Sequence, residues 1–150
     1  MDTNTIKETV IAIPKEQEPA VDITALPEIA FFMQKLALNI WIFHVKAKEE
    51  FAHEELDKLK HELQDCADGL IEAAEGYVPG ISDSADFSIN EDFNVPYSLE
   101  GVINIVNTAI GLCEKLSKSE ITGINVYVDE LAKNAVKALY KLQKFSLIHR

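Results

Sequence analysis

Positive charge is what this chain has least of. Lys and Arg number 14 against 25 Asp and Glu in 150 residues, for a formal net charge of −11. A protein that grips a phosphate backbone needs clustered Lys and Arg, so the balance argues against a nucleic-acid ligand. The acidic balance is instead compatible with attracting cations. Cysteine is scarce as well. Cys66 and Cys113 stand at no metal-type spacing and read as reduced, buried thiols of a cytoplasmic protein. The opening MDTNTIKETVIAIPKEQ has no basic region followed by a long apolar run, which predicts no secretion signal. An uninterrupted apolar run of membrane length is also missing. The stretch 29–45 is the most apolar, but Gln34, Lys35, Asn39 and His44 interrupt it and it is short for a span, so it predicts a buried helix and no membrane partner. There is no internal repeat and no convincing strand; the triplet Val126–Tyr127–Val128 is too short to overrule the helical pattern around it.

What the chain does have is apolar content, 47 %, enough for one globular domain with a real core. Residues 1–23, broken by Pro14 and Pro19, read as a flexible leader ahead of a domain over 24–150. Thr24 and Pro27 sit where a helix cap and first turn are expected, and helix one runs from about Pro27 to Lys46, apolar around most of its wheel and so covered on more than one side. Helix two runs from about Lys48 to Glu75, stopped by Gly76 and the Pro79-Gly80 turn. A long acidic linker over 76–97 carries Asp83, Asp86, Glu91 and Asp92. Ser98 opens helix three, which reaches Lys118; helix four starts at Ser119 or Glu120 and reaches Ser146, with Lys133, Lys137, Lys141 and Lys144 towards its C-terminal half. Short links at both ends and one long crossover describe an all-α, ferritin-like four-helix bundle.

Helix two carries the chemistry. Advancing about 100° per residue from His53, Asp57 falls near 40°, Asp68 near 60° and Glu72 near 100°. The apolar residues Leu56, Leu59, Leu63, Ala67 and Leu70 centre near about 280°. The four polar side chains therefore point away from the chain's own core. Asp57 and Asp68 are separated by about 16 Å along the axis, too far for one metal centre. Helices three and four have no histidine before His149, and the Glu-x-x-His pairs of a di-iron site built within one bundle are missing. The economical completion is a second copy of helix two, antiparallel about a twofold axis, which sets each His53–Asp57 pair against the partner's Asp68–Glu72 pair. Imidazole and carboxylate donors suit iron, zinc or manganese. Charged i,i+4 pairs on a long helix are otherwise a solvated face. His61, near the same quadrant, reads as surface filler, and His44 by itself as a satisfied core histidine.

The segment 44-HVKAKEEFAHEELDKLKHELQDCADGLIEAAEGYVPG-80 resembles the Dps-type mini-ferritins. The resemblance rests on His44, Phe51, His53, Asp57, Asp68 and Glu72, with the glycine and proline turn at Gly76 and Pro79-Gly80, and extends in helix order and length over roughly residues 25–146. It implies a ferroxidase centre at a dimer contact, with His44, His53 and Asp57 from one subunit and Asp68 and Glu72 from its partner, Glu72 bridging the metals. It also implies a twelve-subunit shell in which Fe²⁺ is oxidised, typically by peroxide, and kept as mineral, limiting oxidative stress. The chain departs from the family pattern in several places. The two histidines are three residues closer, Val45 stands where a tryptophan often follows the first histidine, with Trp41 one turn earlier, and Ala73 stands for an arginine. Gly69 lies mid-helix between two proposed ligands, where it costs about 1 kcal/mol relative to Ala; a close helix approach at the subunit contact would account for it. DNA-coating members use basic tails, whereas residues 1–24 carry Lys7 and Lys15 against Asp2, Glu8, Glu16, Glu18 and Asp22, so no DNA binding is expected. The alternative reading is a catalytically silent ferritin-like structural or assembly module that docks through its leader.

Overall fold

Apolar residues recur at helical spacing through nearly the whole chain, and the fold follows that pattern. The structure is a computed structural model that describes residues 21–148. Four helices, α1 (Leu26–Lys46), α2 (Glu50–Tyr77), α3 (Leu99–Ser117) and α4 (Asn125–Ile148), are joined by short turns and one long crossover, with no strand among the described residues. Each helix turns one apolar stripe inward. Leu26, Met33 and Ile40 of α1 meet Leu56, Leu59, Leu63 and Leu70 of α2, Val102 and Leu116 of α3, and Leu131 and Leu142 of α4, all essentially without solvent contact. Removing that much aliphatic surface from water is what holds the helices together.

Several boundaries differ from those the sequence predicts, each for a local reason. Most of the expected leader lies outside the described residues, but Val21 and Ile23 at its end pack against the core. Thr24 does not cap α1; it lies inside a 3-10 turn over Ile23–Ala25, and Ala25 takes the cap position with Pro27 in the first turn. Gly76 does not stop α2. The helix runs through it to Tyr77, whose hydroxyl donates to the Thr122 carbonyl at 3.0 Å and anchors the last turn. Helix α4 starts at Asn125, not at residues 119–120, because Gly123 takes a φ of +101° that a helix cannot continue. The Ser98 cap is as expected: its hydroxyl accepts from the Gly101 amide at 2.9 Å.

The helix directions follow from end-to-end contacts. Helices α1 and α2 form a tight hairpin across Ala47–Glu49. The start of α2 meets the end of α4, with Phe51 stacked on Phe145 at 5.4 Å between centroids, while Tyr77 reaches the start of α4. Phe43 near the end of α1 lies against Gly101 at the start of α3. The order is therefore up, down, down, up, and the crossover carries the chain back between α2 and α3. It runs beside α1 from end to end: Phe87 packs edge-on to Phe31 at 5.2 Å, Glu91 pairs with Lys35 at 2.7 Å, and the Val95 carbonyl accepts from Lys46 at 3.2 Å. Tyr97 closes it, donating to Glu49 at 3.1 Å; burial first, and that carboxylate second, push its phenol up to about 12. By length and composition Ile23–Lys46 could cross a membrane, but here its buried stripe belongs to the core.

The crossover begins in a turn tied back to α2. The Gly80 and Ser82 amides donate to the Glu75 carboxylate at 2.8 and 2.9 Å, and Gly80 sits at a φ of +84° that favours glycine. The bond from Gly80, then those from Ser82, hold the Glu75 carboxyl below its usual value. A group whose pKa is lowered on folding contributes stability above its unfolded value and loses it as pH falls through the folded one. The turn is thus expected to stay tethered at neutral pH and to let go only below the ordinary carboxylate range, about 4. Amide proton shifts of Gly80 and Ser82, followed by NMR from about pH 6 to about pH 3, should show that step, and Glu75→Gln protein should lack it.

Candidate metal half-sites on the second helix

The short link between α1 and α2 sets two histidines face to face. The rings of His44 and His53 stack with centroids 3.7 Å apart and planes 26° from parallel. Each ring also bonds the other's backbone: His44 Nδ1–H donates to the His53 carbonyl, and His53 Nδ1–H donates to the His44 carbonyl, both at 2.8 Å. A carbonyl can only accept, so both protons sit on Nδ1. In the neutral rings the lone pair is then on Nε2, the free edge of each imidazole. Metal-ligating histidines are commonly fixed in this way, by a hydrogen bond from the other ring nitrogen. The bond to His44 also satisfies a carbonyl in the last turn of α1, which has no helical partner. The three-residue shortening of the link has therefore not separated the two histidines.

The carboxylates are arranged differently. Asp57 is half-buried and turns along its own helix, 3.8 Å from Lys60 and 3.6 Å from the exposed His61. Asp68 and Glu72 are exposed, about two and a half and about one and a half turns before the end of an unbroken α2. Among the described residues no three His, Cys, Asp or Glu side chains gather into a group that could hold a metal ion. Within one chain the structure joins His44 to His53, and no third His, Cys, Asp or Glu side chain among the described residues completes a metal-holding group with them.

Asp68 and Glu72 open onto a cavity of about 510 Å³ between α2 and α4. Glu62, Asp65 and Glu130 complete a wall of five carboxylates, and no basic residue lines it. Cys66 forms part of its floor; burial pushes that thiol up to about 12, with Cys113 and Glu62 acting in the same direction. Burial likewise raises Cys113 to about 11. Both thiols are free and buried. Gly69 has an explanation within the chain and not at a subunit contact. A Cβ there would stand 2.4 Å from Cδ2 and 2.5 Å from Cγ of Tyr127, whose ring occupies that space.

Sequence reasoning missed three features here. The first is an apolar stripe on α1, Leu38, Trp41 and Val45, exposed by 40, 47 and 59 % although the helix was expected to be covered on more than one side. On the α1 wheel these residues fall within about 60° of each other, next to His44 on the side away from Ile40 and Phe43. Since His44 meets α2, the stripe continues the exposed α2 face that bears His53 and Asp57. Its spacing was readable, but the continuous apolar run around it hid which part the fold leaves bare. The second is Glu55, the one buried charge among the described residues, paired with Lys141 at 2.8 Å across α2 and α4. The third is the acid wall itself, for Glu130 lies on another helix and no local spacing joins it to Asp65. No protein-family model, curated protein or solved structure matches the chain.

Proposed function

We propose that this chain is a ferritin-like, Dps-type iron-oxidising protein that works as a twofold dimer or larger shell. The observation that carries the reading is the reciprocal lock of His44 and His53, which stacks the two rings and leaves the Nε2 lone pair of each outside the lock. A surface with no use for them would not need both rings held in one tautomer. The up, down, down, up order with a single long crossover supports the ferritin-like part, because that family of bundles has one such connection. The exposed Leu38, Trp41 and Val45 support the subunit contact, since they flank the proposed ligands with apolar surface that a second copy would cover.

In this reading His44, His53 and Asp57 of one subunit and Asp68 and Glu72 of the other hold Fe²⁺ as substrate. Nitrogen and oxygen donors of this kind suit iron and leave positions open, though zinc or manganese would also bind. Two Fe²⁺ each give one electron to a peroxide, whose O–O bond breaks to two waters as two protons are taken up. The chain's own residues hold the ions together and keep the imidazole lone pairs turned outward. The carboxylates offset the charge of the cations, and the acid wall beside Asp68 and Glu72 raises their local concentration.

Anaerobic Fe²⁺ titration followed by peroxide, read by absorbance, tests this. The parent should oxidise iron in proportion to subunits, and His53→Ala/Asp57→Ala should lose it. Disturbing a residue that merely orients a ligand costs about 10–100-fold, so losing two ligands should cost at least that. No difference between the two proteins would remove this site and leave the helical assembly module as the reading.

A further inference from the structure

The crossover between α2 and α3 carries a pattern that no helix uses. From Phe87 to Tyr97 every odd-numbered residue except Glu91 is apolar, and every even-numbered one is polar or proline. That is the period of a strand. The backbone keeps to it, running without a turn or bend over residues 85–98. Two of its odd side chains meet α1: Phe87 lies on Phe31, and Glu91 pairs with Lys35. From Asp86, beside Glu28, to Val95, beside Lys46, the segment covers about 27 Å of α1, at about 3 Å per residue, close to the rise of a strand. No strand forms, because nothing among the described residues pairs with it. Its amides divide by parity. Those of Asp86, Ser88, Asn90 and Asn94 donate to the carboxylates of Glu28, Asp86, Glu91 and Asp92, at 3.5, 3.0, 3.2 and 2.9 Å. Those of Phe87, Ile89, Phe93 and Val95 have no partner among the described residues. Alternate amides of a strand point to the same side, so the free ones form one open edge. Phe87 and Ile89 on it are 45 and 53 % exposed.

We propose that Thr9–Ile13 of the same chain adds to this edge as an antiparallel strand. Residues 1–20 lie outside the described residues, and their sequence supplies the argument. Thr9-Val10-Ile11-Ala12-Ile13 is β-branched at every position but Ala12, the composition a strand favours. The chain from Pro14 to Val21 reaches up to about 25 Å. Val21 packs on the core two turns before Glu28, the residue beside which the crossover starts its run along α1. The apolar run is thus tethered next to the open edge. It must descend towards Val21 while the crossover climbs α1, which makes the pairing antiparallel. Charge agrees. Residues 7–15 carry Lys7 and Lys15 against Glu8, whereas residues 81–97 carry Asp83, Asp86, Glu91 and Asp92 and no base. The crossover of a second copy would bring acid against acid, which costs affinity. The added strand gives the free amides carbonyl acceptors and covers Phe87 and Ile89, as an extended peptide does when it augments a sheet edge. The contact uses none of the proposed metal ligands, so it stands or falls apart from the iron reading.

Amide hydrogen exchange, followed by NMR on the full chain, tests it against a Val10→Pro/Ile11→Pro variant. The two prolines remove one N–H of each parity from the added strand and touch no described helix. In the parent the Phe87, Ile89 and Phe93 amides should exchange at least about tenfold more slowly than in the variant. The amides of Leu63 and Leu131, buried in the core, should exchange alike in both. Parent spectra should also show nuclear Overhauser contacts between residues 9–13 and 87–93 that the variant lacks. Lys7→Glu/Lys15→Glu protein should lose part of the protection. Because the strand is tethered, protection should stay the same on about tenfold dilution. Equal exchange in parent and variant, with no contact between the two segments, would overturn the proposal. So would protection that falls on dilution, since the edge would then be covered by another chain.

Discussion

Equal amounts of His53→Ala/Asp57→Ala and Asp68→Ala/Glu72→Ala protein, each inactive alone, are expected to regain about a quarter of the parent's iron oxidation once their subunits exchange. The fraction follows from symmetry. Random pairing makes about half the dimers mixed, and a mixed dimer has one centre with all its ligands and one with neither half. The prediction is specific to a shared site. If each chain built its own centre, mixing two dead proteins would return nothing. The structure motivates the design because, among the described residues, no single chain gathers a metal-holding group, while His44 and His53 are held together and Asp68 and Glu72 are exposed elsewhere on the same helix. Peroxide-driven absorbance change, measured on co-expressed and separately tagged chains purified together, reads the outcome. No recovery in the mixed dimers would remove the twofold centre, and with it the ferroxidase reading.

Gly69→Ala is expected to destabilise the fold by a net of about 1–2 kcal/mol, a fall in melting temperature of roughly 2–8 °C. On an isolated helix the same change would stabilise by about 1 kcal/mol, so the sign is the test. The added methyl meets Cγ and Cδ2 of Tyr127 at 2.5 and 2.4 Å. These atoms are at the root of the ring, next to Cβ, so a small swing of the ring cannot clear them. Either Tyr127 leaves its rotamer or α4 moves away from α2. Tyr127→Ala in the same chain should abolish the penalty and uncover the propensity gain, and a double-mutant cycle followed by thermal unfolding measures the coupling. A neutral or stabilising Gly69→Ala in the Tyr127 background would mean that the two helices do not approach as described. Helix α2 also carries Asp68 one residue away, so the same contact sets the rotation of that ligand about the helix axis.

The all-helical fold, the four helices and the crossover between the second and third were legible because local information specifies them. The 3.6-residue period of Leu56, Leu59, Leu63 and Leu70 and the Ser98 cap need no knowledge of the rest of the chain. The same wheel put His53, Asp57, Asp68 and Glu72 away from the core, and in the structure none of the four is buried. Errors came where a distant contact overrides a local signal. Gly76 reads as a stop, yet the Tyr77 bond to Thr122 carries α2 past it. The residues after Ser119 read as helix, yet the turn at Gly123 delays α4 to Asn125.

By itself the sequence determined which residues form helices and which face of each is apolar, since both depend on spacing along one chain. Only the tertiary structure decided what faces those stripes. It set Tyr127 on Gly69, paired Glu55 with Lys141, joined Glu130 to the carboxylates of α2, and locked His44 and His53 through each other's carbonyls. The physical reason is range: helix formation is governed by neighbours within about four residues, whereas these contacts join positions whose separation in the chain carries no periodic trace.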